Sequence, residues 1–263
     1  MRVLRTKSLP LHVCITISTA VILLFGLFPD RSYAEPSNPS RTGQPEGQAA
    51  PSLHAGSGGG KLPTDYSRAL PTAQVLIDVG HGGIDGGAHH EELLEKDINL
   101  AVAKKLYLLL QGSGIRAIMN RNGDYALSDD NRWNPSSSRH RRDLSQRSQL
   151  TKEIDTQILI SIHVNWAPDR TEYGPLVLHQ NEGQSALLAY CIQDALNRRQ
   201  NTHGLPRVGK PFYLLNVVKK PAVIVEMGFI SHEGDRRMLT NPVKQTEIAA
   251  AIASGVRNYL LLR

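Results

Sequence analysis

Two almost unbroken apolar runs constrain this chain most: residues 157–163 (QILISIH) and 222–226 (AVIVE). A strand that is apolar on both faces must be covered on both faces, which puts it inside a sheet packed between helical layers. Residues 74–79 (QVLIDV) read as a third buried strand, and 115–119 and 176–179 as shorter ones. Between them, Ile98, Val102, Leu106 and Leu110 recur at helical spacing, with Gly112 and Gly114 to end the helix. Residues 184–199 repeat the pattern with Leu188, Cys191, Ile192 and Ala195 inward, and Ile248, Ile252, Val256 and Leu260 mark a last helix. Residues 143–152 read as a helix, 122–142 as a long polar loop and 212–215 as a short extended piece. Strands alternating with helices predict an α/β fold, one domain over 73–263 with helices on both faces of its sheet.

The first 72 residues have a different texture. Arg2, Arg5 and Lys7 precede an apolar run over 11–28, and Ser32-Tyr33-Ala34 offers small residues for cleavage. That order is a secretory signal over 1–34, or an anchor if it stays uncleaved. Residues 35–72 hold six Pro and six Gly without apolar periodicity and read as a flexible linker. Half of the net charge of +6 lies in the signal segment, and the remainder suits an anionic surface such as a cell wall. Two cysteines exclude a disulfide scaffold and a Cys-rich zinc module; with Cys14 removed, Cys191 is left as a buried packing residue.

Sites in open α/β sheets gather beyond the C-terminal ends of strands. His81 follows the first strand inside GHGGIDGG, His163 ends the third, Glu226 ends the last, and Glu95 opens the first helix. Two histidines and a carboxylate with an open fourth position make a catalytic zinc site, and a second carboxylate can move protons beside it. Such a set suits metal-assisted amide hydrolysis. Taken singly, each histidine also fits a structural hydrogen bond, and Glu95 a first-turn helix carboxylate. Glu226 stands out because an acid after four apolar residues is costly to bury without purpose. The glycine-rich stretch lacks G-x-G-x-x-G and G-K-[ST] spacing, which argues against a nucleotide site. The basic run 139–142 reads as a solvated loop with no nucleic acid partner, and His89-His90 and Glu91-Glu92 as a solvent-facing loop.

Four stretches in order, IDVGHGGIDGGA (77–88), EKDINLAVA (95–103), SIHVN (161–165) and VEMGFIS (225–231), resemble the zinc-dependent N-acetylmuramoyl-L-alanine amidases, amidase type 3. The resemblance implies a mixed six-stranded sheet. It implies His81, Glu95 and His163 as ligands of Zn2+, Glu226 as the catalytic acid/base and peptidoglycan as substrate. Arg121 and Arg147 also match family positions, in structural or substrate-orienting roles. Asp78 and Asn165 are expected either to support the ligands or to make ordinary loop hydrogen bonds.

Only 62 residues separate His163 from Glu226, so no occluding helix is expected there. A compact domain behind a signal is similar to the sporulation amidases that prepare cortex peptidoglycan for muramic lactam formation and germination. Some relatives of that type need an accessory activator protein to hold zinc. The expected location is outside the cytoplasm, in the cell wall or forespore intermembrane space, with membrane contact only through the N-terminal segment. His232 departs from the family's usual Asn and is either a polar group near the site or a surface residue; the 216–218 run departs as well. The rival readings are a zinc peptidase or carboxypeptidase of the stem peptide and a non-catalytic wall-binding protein.

Overall fold

The computed structural model describes residues 72–129 and 135–263. The segments read above as a signal and a linker lie outside the described residues except for Thr72, and so does Cys14. In chain order, β1 (Val75–Val79) leads to a small hairpin, β2 (His89–His90) and β3 (Leu93–Leu94), and then to α1 (Glu95–Gly112). Next come β4 (Ala117–Met119), α2 (Arg139–Glu153), β5 (Ile158–Asn165), β6 (Leu176–His179) and α3 (Gly183–Gln200). The chain closes with β7 (Arg207–Val208), α4 (Tyr213–Val217), β8 (Ala222–Phe229), α5 (Glu233–Thr240) and α6 (Pro242–Leu262).

The main sheet runs β4-β1-β5-β8-β6-β7. β4, β1, β5 and β8 are mutually parallel, whereas β6 is antiparallel to β8, so the sheet is mixed. The α/β, six-stranded, two-faced expectation therefore holds. Alternation along the central strands makes the two faces unequal. Val75, Ile77 and Val79, then Ile158, Ile160 and Ile162, then Val223, Val225 and Met227 all enter the larger core with α1, α3 and α6. The opposite face begins apolar at Leu76, Leu159 and Ile224, packed with Leu144, Leu150, Leu214 and Leu215. One step further along each strand it turns polar, at Asp78, at Ser161 and His163, and at Glu226. The polar corner is thus built into the strand period.

Three local expectations need correction. Residues 212–215 are not extended: the short helix α4 occupies most of that segment, because Leu214 and Leu215 at adjacent positions both face the smaller core. The 122–142 loop is broken by a short 3-10 turn at Leu127–Asp129, and α2 starts earlier, at Arg139, where Ser138 accepts from Arg141 N as its N-cap. The 89–92 segment is not a plain loop: His89 and His90 form strand β2 and pair with β3, and Glu91 and Glu92 make the turn, with Glu91 in the left-handed region at φ 53°. No helix among the described residues is long and apolar enough to cross a membrane.

Candidate metal centre

The site forms where β1 and β5 end and α1 begins. Gly80 continues β1 level with His163, and a side chain on Gly80 would lie 2.4 Å from the His163 ring. The missing Cβ is what lets that imidazole lie across the strand end. His81 follows at φ 60°, a left-handed conformation rare for a residue with a side chain. The chain then loops through Gly87, whose φ of 69° and close neighbours Glu95 Oε2 and His81 Cδ2 again exclude a Cβ. The hairpin returns the chain so that Glu95 N donates to Ala88 O (2.9 Å), setting Glu95 at the first turn of α1. A carboxylate there is favoured by the helix dipole.

Glu95 is the hub. Its Oε1 accepts from Val164 N (3.0 Å) and Asn99 Nδ2 (3.2 Å) and lies 2.9 Å from His163 Nδ1. Its Oε2 accepts from Ala88 N (2.8 Å) and lies 3.3 Å from His81 Nε2. The two imidazole rings meet edge to face with centroids 5.0 Å apart. His81, Glu95 and His163 offer ligand atoms within 4.8 Å of one another, and they form the one such cluster among the described residues. His89, His90, Glu91 and Glu92 are not in it.

Electrostatics follow from burial and pairing. Burial alone would lower the His81 pKa, but hydrogen bonds to Asp85 and Glu95 and their charges outweigh it and raise it to about 10. Burial would raise Glu95, yet its bonds to His163 and His81 and the charge of both hold it well below the usual range. Both shifts share a cause, the buried Glu95 carboxylate held against imidazole nitrogen.

Glu226 lies opposite His163 in the β5–β8 register, on the same face. It is 7% exposed, and its Oε2 is buried without a hydrogen-bond partner. Burial and the charge of Glu95 push its pKa up to about 8, against a smaller opposing pull from His81. An orphaned buried carboxyl oxygen beside a pocket of nitrogen and oxygen donors is poised to exchange a proton with something that enters.

Asp85 is a residue that sequence reasoning missed. Its Oδ2 lies 2.9 Å from His81 Nδ1, and its Oδ1 accepts from Gly87 N. The signal was an acid four residues after the histidine, in the same glycine-rich loop. Asp78 does not touch the candidate ligands directly. It accepts from Ser161 Oγ and Asn120 Nδ2 and pairs with buried Arg147, which reaches His81 O at 3.4 Å. Asn165 Oδ1 accepts from neighbouring Trp166 N, which is ordinary loop bonding. Arg121 and Arg147 are both buried, which favours the structural alternative over contact with substrate. His232 is the N-cap of α5, with Nδ1 accepting from Asp235 N (3.2 Å). Asn216 donates to Lys210 O and Phe212 O and so closes its own turn.

The sequence profile of the N-acetylmuramoyl-L-alanine amidases matches residues 75–258. The chain is 34% identical over 196 residues to the germination-specific N-acetylmuramoyl-L-alanine amidase of Bacillus subtilis, covering 74% of this chain and 82% of that one. Its fold is similar to that of the CwlD amidase from Clostridioides difficile, solved in complex with the GerS lipoprotein. The TM-score is 0.68 at 30% identity, over 73% of this chain and 100% of that one. The catalytic domain of the amidase CwlV from Bacillus (Paenibacillus) polymyxa is similar at TM-score 0.63 and 25% identity, over 73% of this chain and all of that one.

Proposed function

The chain belongs to the N-acetylmuramoyl-L-alanine amidase family, and we propose that it is a zinc amidase whose ligands are His81, Glu95 and His163 and whose acid/base is Glu226. The enzyme hydrolyses the amide between N-acetylmuramic acid and L-alanine in peptidoglycan. The observation that carries the site is the meeting of three donor residues beside a buried carboxyl oxygen with no partner. The donor set suits the ion. Two donors about 2.1 Å from one tetrahedral zinc lie about 3.4 Å apart, and His81 Nε2 and Glu95 Oε2 are 3.3 Å apart.

Zinc in such a site supplies Lewis acidity, polarising a carbonyl and making water more acidic. The chain does the rest. Asp85 accepts from His81 Nδ1–H and leaves Nε2 facing the pocket. Glu226 Oε2 takes a proton from the attacking water as its oxygen bonds to the lactyl carbonyl carbon. It then gives that proton to the L-alanine nitrogen as the C–N bond breaks. Glu226 holds its proton to about pH 8 in the metal-free chain, close to the range in which one group can serve as base and then as acid.

The biological setting we propose is the spore cortex, with cleavage preparing muramic lactam formation. The germination-specific name of the B. subtilis relative supports this. An accessory lipoprotein-like partner is supported by the complex in which the C. difficile amidase was solved. Export before action is supported by the basic-then-apolar N-terminus and by a substrate that lies outside the cytoplasm.

The test is mass spectrometry of purified peptidoglycan digested by the zinc-loaded chain, beside Glu226→Gln. Free stem peptides beginning with L-alanine are expected, and only from the wild type. Released D-amino acids with the lactyl amide intact would instead establish a stem peptidase. Zinc content measured on the same preparations tests the metal assignment separately.

A further inference from the structure

Arg121 is one of the largest fully buried side chains, 1% exposed. A buried guanidinium ordinarily needs a carboxylate. Among the described residues none pairs with it. Its donors go instead to four backbone carbonyls. Nε donates to Val79 O (3.2 Å) and Nη1 to Gly123 O (2.9 Å). Nη2 donates to both Gly80 O (2.9 Å) and Lys96 O (3.1 Å). Gly80 immediately precedes His81, and Lys96 immediately follows Glu95. One nitrogen therefore ties together the backbone beside two of the three candidate ligands, which come from different elements.

Resting on the metal-centre reading above, we propose that Arg121 is a positioning residue that fixes His81 and Glu95 relative to each other before a metal ion binds. Arginine suits the task because its planar fork reaches several acceptors at once from one rigid group. A lysine keeps the charge but presents its donors from a single point. The left-handed backbone of His81 gives the tie a purpose, since that conformation needs its neighbours held. Asn99 reinforces the same link, with Nδ2 donating to Gly80 O (3.3 Å) and Glu95 Oε1 (3.2 Å). Lys96 Nζ adds a third strut, to Gly83 O (2.7 Å).

The sign of the effect separates this role from simple electrostatics. A buried cation near a metal ion repels it, so removing Arg121 should tighten binding if charge alone mattered. A positioning role predicts the opposite. The experiment measures zinc affinity of the full chain, Arg121→Lys, Arg121→Met and Asn99→Ala by competition with a chromophoric chelator. Thermal melts of metal-free and zinc-loaded forms run alongside. Both Arg121 variants should bind zinc roughly 10–100-fold more weakly, with a smaller rise in melting temperature on loading than the wild type shows. Tighter binding by Arg121→Met, or equal falls in both melts with unchanged affinity, would overturn the proposal. If both Arg121 variants unfold, Asn99→Ala carries the comparison, because it cuts the same link without removing a charge; unchanged affinity there overturns it too. A wild-type chain that takes up no zinc even at saturating free zinc, where a partner that only raises affinity is dispensable, overturns the metal-centre reading and this one with it. Wild-type binding matched by the variants overturns this one alone.

Discussion

His163 and Glu226 are register partners on adjacent parallel strands, so a candidate ligand and the candidate acid/base share one face of the sheet. The ladder slips between His163 and Asn165, just past this pair. Their spacing is set by backbone pairing and not by a loop, which suits a step needing fixed geometry.

Glu226→Gln should lower kcat by at least about 100-fold while stabilising the metal-free chain. The folded pKa of Glu226, about 8, lies above its ordinary 4.5, so its contribution to stability is full below pH 4.5 and is lost as pH rises through 8. Glutamine stays neutral throughout. Denaturant melts without metal should show a variant advantage that grows from pH 5 to pH 9, reaching roughly 1–4 kcal/mol. A constant difference across that range would contradict the buried, protonated carboxyl.

Zinc uptake should expel a proton from His81. Burial works against that proton, but hydrogen bonds to Asp85 and Glu95 hold it to about pH 10. Affinity should therefore rise about tenfold per pH unit between about 7 and 9. Titration calorimetry in buffers of different ionisation enthalpy would detect the released proton. The same pairing stabilises the metal-free fold below pH 6.5 and is lost as pH rises through 10.

Asp85→Asn leaves His81 Nδ1 with a weaker partner and a freer ring. Zinc affinity should fall roughly 10–100-fold, with circular dichroism unchanged because Asp85 sits on a partly exposed loop. Affinity equal to the wild type would show that the 2.9 Å contact does not orient the ring.

Gly80→Ala and Gly87→Ala test the space around the donors. The first places a methyl group 2.4 Å from the His163 ring, and the second places one 2.6 Å from Glu95 Oε2. Each should cost on the order of 100-fold in zinc affinity. Gly255→Ala is the contrast. Its new methyl would meet Ile192 Cα at 2.6 Å, in the contact of α6 with α3. That should cost about 1–3 kcal/mol of stability and leave zinc affinity as it was.

Much of the architecture was legible in the chain because apolar periodicity is a local signal. The runs at 157–163 and 222–226 became the central strands β5 and β8, and the helical spacings at Ile98 and Leu188 became α1 and α3. What failed was short. α4, α5 and the two-residue strands β2, β3 and β7 carry too few residues for a period to declare itself, and tertiary contacts decide them.

At the site, apolar runs were enough to put His163 and Glu226 in central strands and Glu95 at the start of α1, and strand alternation put both strand residues on the polar corner; neither ends its strand, since β5 runs on to Asn165 and β8 to Phe229. What those groups touch follows from the assembled fold. It set Glu95 between two imidazoles from segments far apart in the chain, put Asp85 behind His81, and sank Arg121 beneath both. The division is one of range: period and propensity act over a few residues. Partner, burial and protonation state depend on segments that only meet once the sheet has formed.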